Sequence, residues 1–290
     1  YKLEAHCKQC RAPLKTEEAT PFCVSVIGGP STGKTAFVVS AVNEITEKVA
    51  PSKGWNIDFL QAQDEEYFNL QASSLKIGRF PHKTAKKEPF AYNLKISSNE
   101  WKKSKLLYIY DPAGEVYRNS QELSSHSYLE YVDGYVLMID PFSIPELAMH
   151  YDDNTNLATV NPSDTLPEDA YGMLMIHLAK KYQIKKEEQI STPLAVVINK
   201  VDAFDIEQQI AATKVQVENS GRSGDEDTEN LQVLNEQCKT FLRNIGYQTF
   251  VNRIESKFTN VQFFPSSSLP TKRSDDISCS RVFTWLMEQK

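Results

Sequence analysis

Short apolar runs alternate with stretches of helical periodicity along most of the 290-residue chain. The apolar runs that have the length and composition of strands are Phe22–Ile27, Phe90–Ser97, Lys105–Tyr110, Gly134–Ile139, Leu194–Ile198 and Val261–Phe264. Helices are predicted over Lys34 to about Val49, Glu115–Tyr131, Pro167 to about Tyr182, residues 229–244, residues 247–257 and Cys279–Gln289. This alternation is typical of an α/β fold, in which helices cover both faces of an open, mostly parallel sheet.

Some segments depart from that alternation. The strands Phe90–Ser97 and Lys105–Tyr110 are separated only by a polar turn, which predicts an antiparallel hairpin. Residues 50–87 are polar and irregular, and residues 219–229 carry an acidic run that is typical of an exposed connection. Residues 143–166 are rich in Asp, Asn, Thr and Pro, and we expect an inserted loop there that is longer than most connections.

The pattern predicts one large domain that follows a short appendage. Residues 1–20 lack helical or strand periodicity and form the appendage, and residues 21–290 form the domain, with insertions at about 143–166 and 203–258. The chain begins at Tyr1 with half of a metal-binding motif close behind, so we expect that further sequence precedes it.

Composition narrows the class of protein. The 40% hydrophobic and 24% charged residues are near the averages of globular proteins, and no apolar run reaches the length of a transmembrane helix. The 32 Lys and Arg against 38 Asp and Glu give a net charge of −6, which disfavours general binding to nucleic acid. An odd number of cysteines, five, without a signal peptide favours a reducing, cytoplasmic setting.

A glycine-rich pattern lies between the first predicted strand and the first predicted helix. It fits the P-loop consensus and consists of Gly28, Gly29, Pro30, Ser31, Thr32, Gly33, Lys34 and Thr35. Such a loop turns backbone N–H groups toward a phosphate at a helix N-terminus, although Pro30 lacks one of these donors. We expect Lys34 to reach the β- and γ-phosphates and the Thr35 hydroxyl to bind Mg²⁺. The alternative is a glycine turn before an ordinary helix.

A carboxylate and a glycine follow the strand Lys105–Tyr110. Asp111 and Gly114 would lie at the same sheet edge as the P-loop, because the carboxyl ends of parallel strands share that edge. Asp111 there can hold Mg²⁺ through water, and the Gly114 N–H suits a γ-phosphate. Taken alone, Asp-Pro-Ala-Gly is only a turn.

The strand Leu194–Ile198 leads into Asn199-Lys200-Val201-Asp202. Here the chain resembles the P-loop GTPases of the translation-factor-like (TRAFAC) class, whose Asn-Lys-x-Asp motif recognises guanine. The resemblance implies that Asp202 accepts hydrogen bonds from guanine, that Asn199 ties the base to the P-loop, and that the Lys200 stem packs on the ring. Adenine lacks that donor pair, so a buried Asp202 would discriminate against ATP. The alternative is a polar strand end with Asp202 as a helix cap.

The resemblance covers about residues 22–290 and implies two further contacts. Ser266 and Ser267 follow the last strand, where the family places a loop whose backbone N–H meets the base oxygen. The first switch should lie between Val49 and Glu88 and supply a Thr to Mg²⁺ and the γ-phosphate, and Thr84 is the only Thr in that interval.

More narrowly, the chain resembles bacterial double-GTPase-type proteins. The resemblance rests on a half metal ribbon before the P-loop, Asp-x-Ala-Gly-Glu from Asp111, the Asp-Gly to Asp-Pro segment 133–141, and the long insertions. It implies protein partners, contacted through the switches and insertions, in a multi-protein signalling or conflict system.

The residues expected to take part in GTP hydrolysis are Lys34, Thr84, Gly114 and Glu115. Many relatives carry Gln after Asp-x-x-Gly to orient the attacking water, whereas this chain has Glu115. A carboxylate near the γ-phosphate is electrostatically unfavourable unless Mg²⁺ or an arginine offsets it. We therefore expect slow hydrolysis, or hydrolysis that depends on Arg118, Arg79 or a partner's arginine; a solvated surface role is the alternative for each arginine.

Cys7 and Cys10 have the spacing of half a zinc knuckle. Structural zinc needs four ligands, and only His6 and Cys23 lie near them in sequence. Cys23 falls in a predicted core strand and suits a small buried residue better than a ligand. Zinc binding is therefore a prediction that depends on ligands upstream of this chain.

The leading hypothesis is a Mg²⁺-dependent guanine-nucleotide switch that hydrolyses GTP, with switch segments at about 50–87 and 111–125. One alternative is a P-loop ATPase or kinase that also carries Asn-Lys-Val-Asp. Another is a GTP-binding interaction module that does not hydrolyse GTP. Nucleotide preference separates the first alternative from the leading hypothesis, and phosphate release separates the second.

Overall fold

The computed structural model of the chain describes residues 5–6, 13–14, 19–79, 90–114, 129, 131–152, 157–182, 188–214, 226–269 and 275–289. The strands in these ranges are β1 (Ala5–His6), β2 (Pro13–Leu14), β3 (Ala19–Ile27), β4 (Trp55–Phe59), β5 (Phe90–Ser98), β6 (Ser104–Asp111), β7 (Gly134–Ile139), β8 (Leu194–Ile198) and β9 (Val261–Pro265). The α-helices are α1 (Lys34–Glu44), α2 (Ala50–Lys53), α3 (Ala62–Lys76), α4 (Pro145–Asp152), α5 (Pro167–Tyr182), α6 (Ile206–Ala211), α7 (Glu226–Leu242), α8 (Gln248–Lys257) and α9 (Ser280–Glu288).

Seven strands form one sheet in the order β4-β5-β6-β3-β7-β8-β9. Strand β5 is antiparallel to both of its neighbours, and every other pairing in the sheet from β6 to β9 is parallel. The carboxyl ends of β3, β6, β7, β8 and β9 therefore meet at one edge. That edge is where ligands bind in open α/β sheets.

Two apolar layers cover the two faces of the sheet. Strand β7 illustrates the division, because Tyr135, Leu137 and Ile139 pack into one layer and Val136 and Met138 into the other. This alternation follows from the two-residue period of a strand. Helices α1, α3 and α9 contribute to the second layer, and α4 to α8 contribute to the first. Burial on both faces explains why the strands read as continuous apolar runs.

The predicted fold class is confirmed, including the antiparallel hairpin of β5 and β6. The strands β7 and β8 and the helix α5 match their predicted bounds, and α1, α7, α8, β9 and α9 agree to within a few residues. A π-helical turn, Ile45–Val49, continues α1. The segment Arg243–Tyr247 between α7 and α8 contains a kink, where Gly246 has a left-handed φ of 88°.

The expectation that residues 50–87 are irregular is wrong over most of the described part. The turn α2 ends at Gly54, whose φ of 63° is left-handed, and β4 and the 15-residue helix α3 follow. Helix α3 carries Asp64 and Glu65 in its first turn and Lys76 in its last, an arrangement that suits the helix dipole. Helix α3 was not predicted because most of its residues are polar. Its buried residues, which include Phe68, Ala72 and Leu75, form only a narrow stripe.

Three other expectations need correction. The segment 143–166 contains helix α4 and a 3₁₀ turn at Leu157–Val160, so it is not a plain loop. Helix α7 begins at Glu226, inside the connection predicted to end at residue 229. The appendage, which was expected to lack strands, contains the short antiparallel pair β1 and β2. The helix predicted over Glu115–Tyr131 stays a prediction, because it falls almost wholly outside the described residues.

Candidate functional site

The P-loop joins the end of β3 to the start of α1, as predicted. Gly33 has a φ of 88°, a left-handed conformation that glycine adopts without cost. A Cβ at Gly33 would also lie 2.4 Å from the side-chain nitrogen of Asn199, so no other residue fits there without a shift. Ser31 is left-handed as well, with a φ of 60°. The loop is thus shaped by close packing on its neighbours.

Lys34 folds back over the loop from the first turn of α1. Its ammonium group donates hydrogen bonds to the carbonyl oxygens of Gly28 and Gly29, each at 2.9 Å. The Thr32 hydroxyl donates to the Gly29 carbonyl at 2.9 Å. Lys34 is only 6% exposed, so its charge is concentrated at the loop.

The motif that follows β6 lies directly against the P-loop. The Thr35 hydroxyl donates a 2.6 Å hydrogen bond to the buried carboxylate of Asp111. A Cβ at Gly114 would lie 2.4 Å from the Pro30 nitrogen and 2.5 Å from the Gly29 carbonyl carbon. The absence of a side chain at Gly114 is therefore what allows the two segments to touch.

Asn199 connects the end of β8 to the P-loop. Its side-chain amide donates to the Thr32 carbonyl at 2.9 Å, and its side-chain oxygen accepts a 3.0 Å hydrogen bond from the Ser268 hydroxyl. All of these side chains are buried. Asn199 thus holds the P-loop and the loop after β9 together.

Lys200 and Asp202 follow Asn199 in the chain. The Lys200 ammonium lies 2.6 Å from the Asp140 carboxylate and also donates to the carbonyls of Val160 and Asn161. Asp202 is half-buried, and within the described ranges its carboxylate accepts no hydrogen bond. Asp202 is thus partly exposed, whereas the discrimination against ATP expected from the sequence assumed a buried carboxylate.

The loop after β9 holds Ser266 and Ser267 in hydrogen bonds with other parts of the protein. The Ser266 and Ser267 N–H groups donate to the carbonyls of Ile198 and Ile277, at 2.8 Å and 3.2 Å. The Cys279 thiol lies between them, 3.2 Å from the Ser266 hydroxyl oxygen and from the Ser267 carbonyl oxygen. Ser268, which the sequence did not single out, is the serine that reaches Asn199.

Some predicted site residues lie outside the described residues. They are Thr84, Glu115, Cys7, Cys10 and Arg118. Arg79 is described and exposed, and Cys23 is partly buried and packs on the core, as expected for a small apolar residue. Within the described ranges, no three His, Cys, Asp or Glu side chains cluster as a metal site requires, and zinc gains no support.

The structure adds residues of the segment 140–165 that sequence reasoning missed. Asp140, Asn161, Ser163 and Thr165 all contact the P-loop or Lys200. The signal for Asp140 was its place directly after a buried strand at the ligand-binding edge. The other three carried no signal, because they lie in an insertion and reach the site only through the fold.

Comparison with known proteins agrees with this geometry. A family model described as Double-GTPase 2 matches residues 23–271, a stretch that contains the P-loop, Asp111, Gly114, Asn199 and Ser268. A search of curated proteins gave no match. No helix in the described part of the chain combines the length and apolar character needed to cross a membrane. With its P-loop, its sheet order and a family match over most of its length, the chain belongs to the Double-GTPase 2 family of P-loop GTPases.

Proposed function

We propose that this protein is a Mg²⁺-dependent guanine-nucleotide switch of the cytoplasm that hydrolyses GTP to GDP and phosphate. The observation that carries the proposal is the hydrogen bond from the Asn199 amide to the Thr32 carbonyl. It joins a base-recognition motif to a phosphate-binding loop, so that one nucleotide can contact both. Family membership supports guanine nucleotide as the ligand.

The phosphate end of the site is formed by residues 28–35. The N-terminus of α1 and the loop N–H groups offer positive potential to an anion. The Lys34 ammonium is held at the loop by two carbonyls, and it would transfer its hydrogen bonds to the β- and γ-phosphates when a nucleotide binds. Pro30 supplies no N–H, and its ring nitrogen instead lies near Gly114.

The base end is formed by Asn199, Lys200, Asp202 and the loop after β9. The Asp202 carboxylate, partly exposed and without a hydrogen bond within the described residues, is available to accept from the N1–H and amino group of guanine. Because the Ser266 and Ser267 N–H groups donate to backbone carbonyls, we assign the contact with the base oxygen to the Ser268 N–H. Within the described residues that N–H donates no other hydrogen bond.

The residues at the end of β6 suit Mg²⁺. A threonine hydroxyl and a carboxylate, 2.6 Å apart, are the hard oxygen donors that this cation prefers. Thr35 would bind it directly and Asp111 through water, with Thr84 as the further ligand that the resemblance implies. Bound Mg²⁺ would neutralise charge on the β- and γ-phosphates.

For hydrolysis, this chain contributes positioning more than proton transfer. Gly114 packs on the P-loop backbone, so its N–H lies at the phosphate end of the site, and Lys34 offsets the negative charge there. The carboxylate of Glu115 is a poor substitute for the glutamine that orients water in many relatives. We therefore propose slow turnover, or turnover assisted by a protein partner, within a multi-protein signalling or conflict system.

Equilibrium binding of GTP, GDP and ATP with Mg²⁺, followed by phosphate release over hours, tests the proposal. We expect guanine nucleotides to bind and ATP not to displace them. Lys34→Ala should weaken GTP binding at least about tenfold, because a charged hydrogen bond contributes about 1.5–3 kcal/mol. Lys53→Ala is the matched control, since Lys53 is exposed and pairs with Glu288.

The outcomes separate the candidates. Equal or tighter binding of ATP would contradict the base-recognition role and favour an ATPase or kinase. GTP binding without phosphate release would favour an interaction module that does not hydrolyse GTP. Unchanged GTP affinity in Lys34→Ala would contradict the phosphate-binding role of the loop.

A further inference from the structure

A buried carboxylate outside the motifs of the nucleotide site contacts that site. Asp140 follows β7 and is 0% exposed. One of its oxygens accepts from the Phe142 N–H at 3.0 Å, and the other accepts from the Ser163 N–H at 2.8 Å and from the Lys200 ammonium at 2.6 Å. Asp140 therefore binds both Lys200 and the segment that contains Ser163.

That segment, residues 157–165, is named the strap here because it lies across both ends of the site. At the phosphate end, the Asn161 side-chain amide donates to the Ser31 hydroxyl at 3.2 Å. Thr165 packs so closely on Gly29 that a Cβ at Gly29 would lie 2.5 Å from the Thr165 Cβ. The strap thus lines one side of the P-loop.

At the base end, the strap holds Lys200. The ammonium of Lys200 donates to the Val160 carbonyl at 3.1 Å and to the Asn161 carbonyl at 3.0 Å. The Lys200 backbone has a φ of 57°, a left-handed conformation that is unfavourable for a residue with a side chain. Asp140 and two strap carbonyls together hold the side chain of this strained residue in one place.

We propose that Asp140 is a positioning residue, which acts with the strap to hold Lys200 beside the base and so slows the release of guanine nucleotide. The inference deepens the proposed function and rests on it, because it concerns the same nucleotide site. Asp140 itself does not contact the nucleotide. It acts through the ammonium of Lys200 and through the backbone of the strap.

The electrostatics of the pair support a strong coupling. The side chain of Asp140 is fully buried and that of Lys200 is 17% exposed, so water screens their attraction only weakly. Removing one charge of a buried pair leaves the other charge without compensation, which costs more than the pair contributes. Loss of the Asp140 charge should therefore release Lys200 from its position.

The test is the dissociation rate of a fluorescent GDP analogue, chased with unlabelled GDP, in a double-mutant cycle. The proteins are the unmodified chain, Asp140→Asn, Lys200→Met and the double variant. Each single variant should release GDP at least about tenfold faster, given the strength of charged hydrogen bonds. The double variant should be no faster than Lys200→Met alone, because Asp140→Asn keeps a side-chain oxygen for the Ser163 N–H of the strap and loses only the charge that holds Lys200.

The control is Asp133→Asn. The Asp133 carboxylate also accepts a backbone hydrogen bond, from Cys23 at 2.8 Å, but it precedes β7, whereas Asp140 follows that strand. We expect Asp133→Asn to lower the melting temperature and to leave GDP release unchanged. A purely structural role for Asp140 would make the two variants behave alike.

A second variant keeps the test decisive if Asp140→Asn does not fold. Asn161 has a φ of 46°, so Asn161→Gly keeps the backbone and its carbonyl but removes the hydrogen bond to Ser31. It should speed GDP release about threefold or more, as one neutral hydrogen bond predicts. Unchanged release in Asn161→Gly and in any folded Asp140→Asn, or effects that multiply in the double variant, would overturn the inference. If the unmodified chain binds no guanine nucleotide, the proposed function itself is wrong. If the chain binds GDP but the variants release it at the unmodified rate, only the role of Asp140 is wrong.

Discussion

Gly114 is a residue whose lack of a side chain determines how two motifs meet. Its Cα lies so close to the P-loop that a Cβ would be 2.4 Å from the Pro30 nitrogen and 2.6 Å from the Pro30 Cα. Those atoms are backbone, so they cannot rotate away, and the P-loop itself would have to move. We predict that Gly114→Ala weakens GTP binding about tenfold or more, measured by equilibrium titration.

The control for this variant is Gly172→Ala. Gly172 lies within helix α5, and a Cβ there would meet no atom within 4 Å. Alanine is the better helix former, so this change should stabilise the protein by up to about 1 kcal/mol and leave GTP binding alone. Equal affinities in Gly114→Ala and the unmodified chain would show that the P-loop tolerates the shift.

Asp202 is the residue on which the choice of base depends. Replacing its carboxylate with an amide removes one acceptor and adds a donor, which suits xanthine, whose ring carries an oxygen where guanine has an amine. We predict that Asp202→Asn reverses the preference between GTP and xanthosine triphosphate, by at least about tenfold in relative affinity. Competition binding of the two nucleotides measures it.

Asp58→Asn is the matched control, because Asp58 is exposed on the edge strand β4. It should leave the ranking of nucleotides unchanged. If Asp202→Asn also leaves the ranking unchanged, Asp202 does not recognise the base.

At the scale of elements, α1 and α9 are joined by one carboxylate. Glu44, in the last turn of α1, accepts from the Ser278 hydroxyl at 2.6 Å and from the Ser280 N–H at 2.9 Å. Ser280 opens α9, so the carboxylate also interacts favourably with the positive end of that helix. The loop between β9 and α9, which carries the serines of the base end, is anchored by this contact.

We predict that Glu44→Ala lowers the free energy of unfolding by about 1–3 kcal/mol, because it leaves the buried Ser280 N–H without its acceptor and removes the hydrogen bond from the partly buried Ser278 hydroxyl. Urea unfolding at neutral pH measures the loss. Glu47→Ala, in the turn that directly follows α1, removes an exposed pair with Lys76 and should cost less than about 1 kcal/mol. Similar losses in the two variants would show that the link between α1 and α9 contributes little.

At the scale of the whole molecule, buried tyrosines make stability sensitive to alkaline pH. Burial raises the pKa of Tyr171 from the ordinary value of 10.0 to about 12. Burial is also the main cause that raises the pKa of Tyr92, Tyr151 and Tyr247, and it raises the pKa of the Cys238 thiol. These groups keep their protons in the folded state at a pH where the unfolded chain loses them.

A raised pKa in the folded state means that the stabilisation is complete below the unfolded pKa and is lost as pH rises toward the folded value. We therefore predict that the free energy of unfolding falls steeply above about pH 10. Each such tyrosine contributes up to about 1.4 kcal/mol per pH unit to this loss of unfolding free energy. Urea unfolding between pH 8 and pH 11 measures the slope, and a flat profile would contradict the prediction.

Tyr171→Phe isolates one of these groups. Within the described residues, the Tyr171 hydroxyl makes a single hydrogen bond, of 3.4 Å to the Arg253 carbonyl, so its removal costs little at neutral pH. The variant should lose less stability than the unmodified chain between pH 10 and pH 12. Identical slopes in the two proteins would assign the alkaline loss to other groups.

Much of this organisation follows from the sequence alone, because local patterns encode it. Each of these patterns determines the structure of only the few residues around it. Examples are the apolar runs of β7 and β8, the glycines of the P-loop and the N-terminal proline of α5. Parallel strands place their carboxyl ends at one edge, so the order of the motifs already predicted that the P-loop, Asp111 and Asn199 would meet. The alternation in Trp55–Phe59 was also present, but only its pairing with β5 makes it a strand.

Only the tertiary structure decided which side chains complete the site. The contacts of Asn199 with Thr32, of Lys200 with Asp140 and of Glu44 with Ser280 join residues 167, 60 and 236 positions apart. The choice of Ser268 as the partner of Asn199, and the placement of the strap on the P-loop, depend in the same way on how distant elements pack. Backbone periodicity is a local property that neighbouring residues reveal. A hydrogen bond between distant residues forms only once folding has brought its donor and its acceptor together.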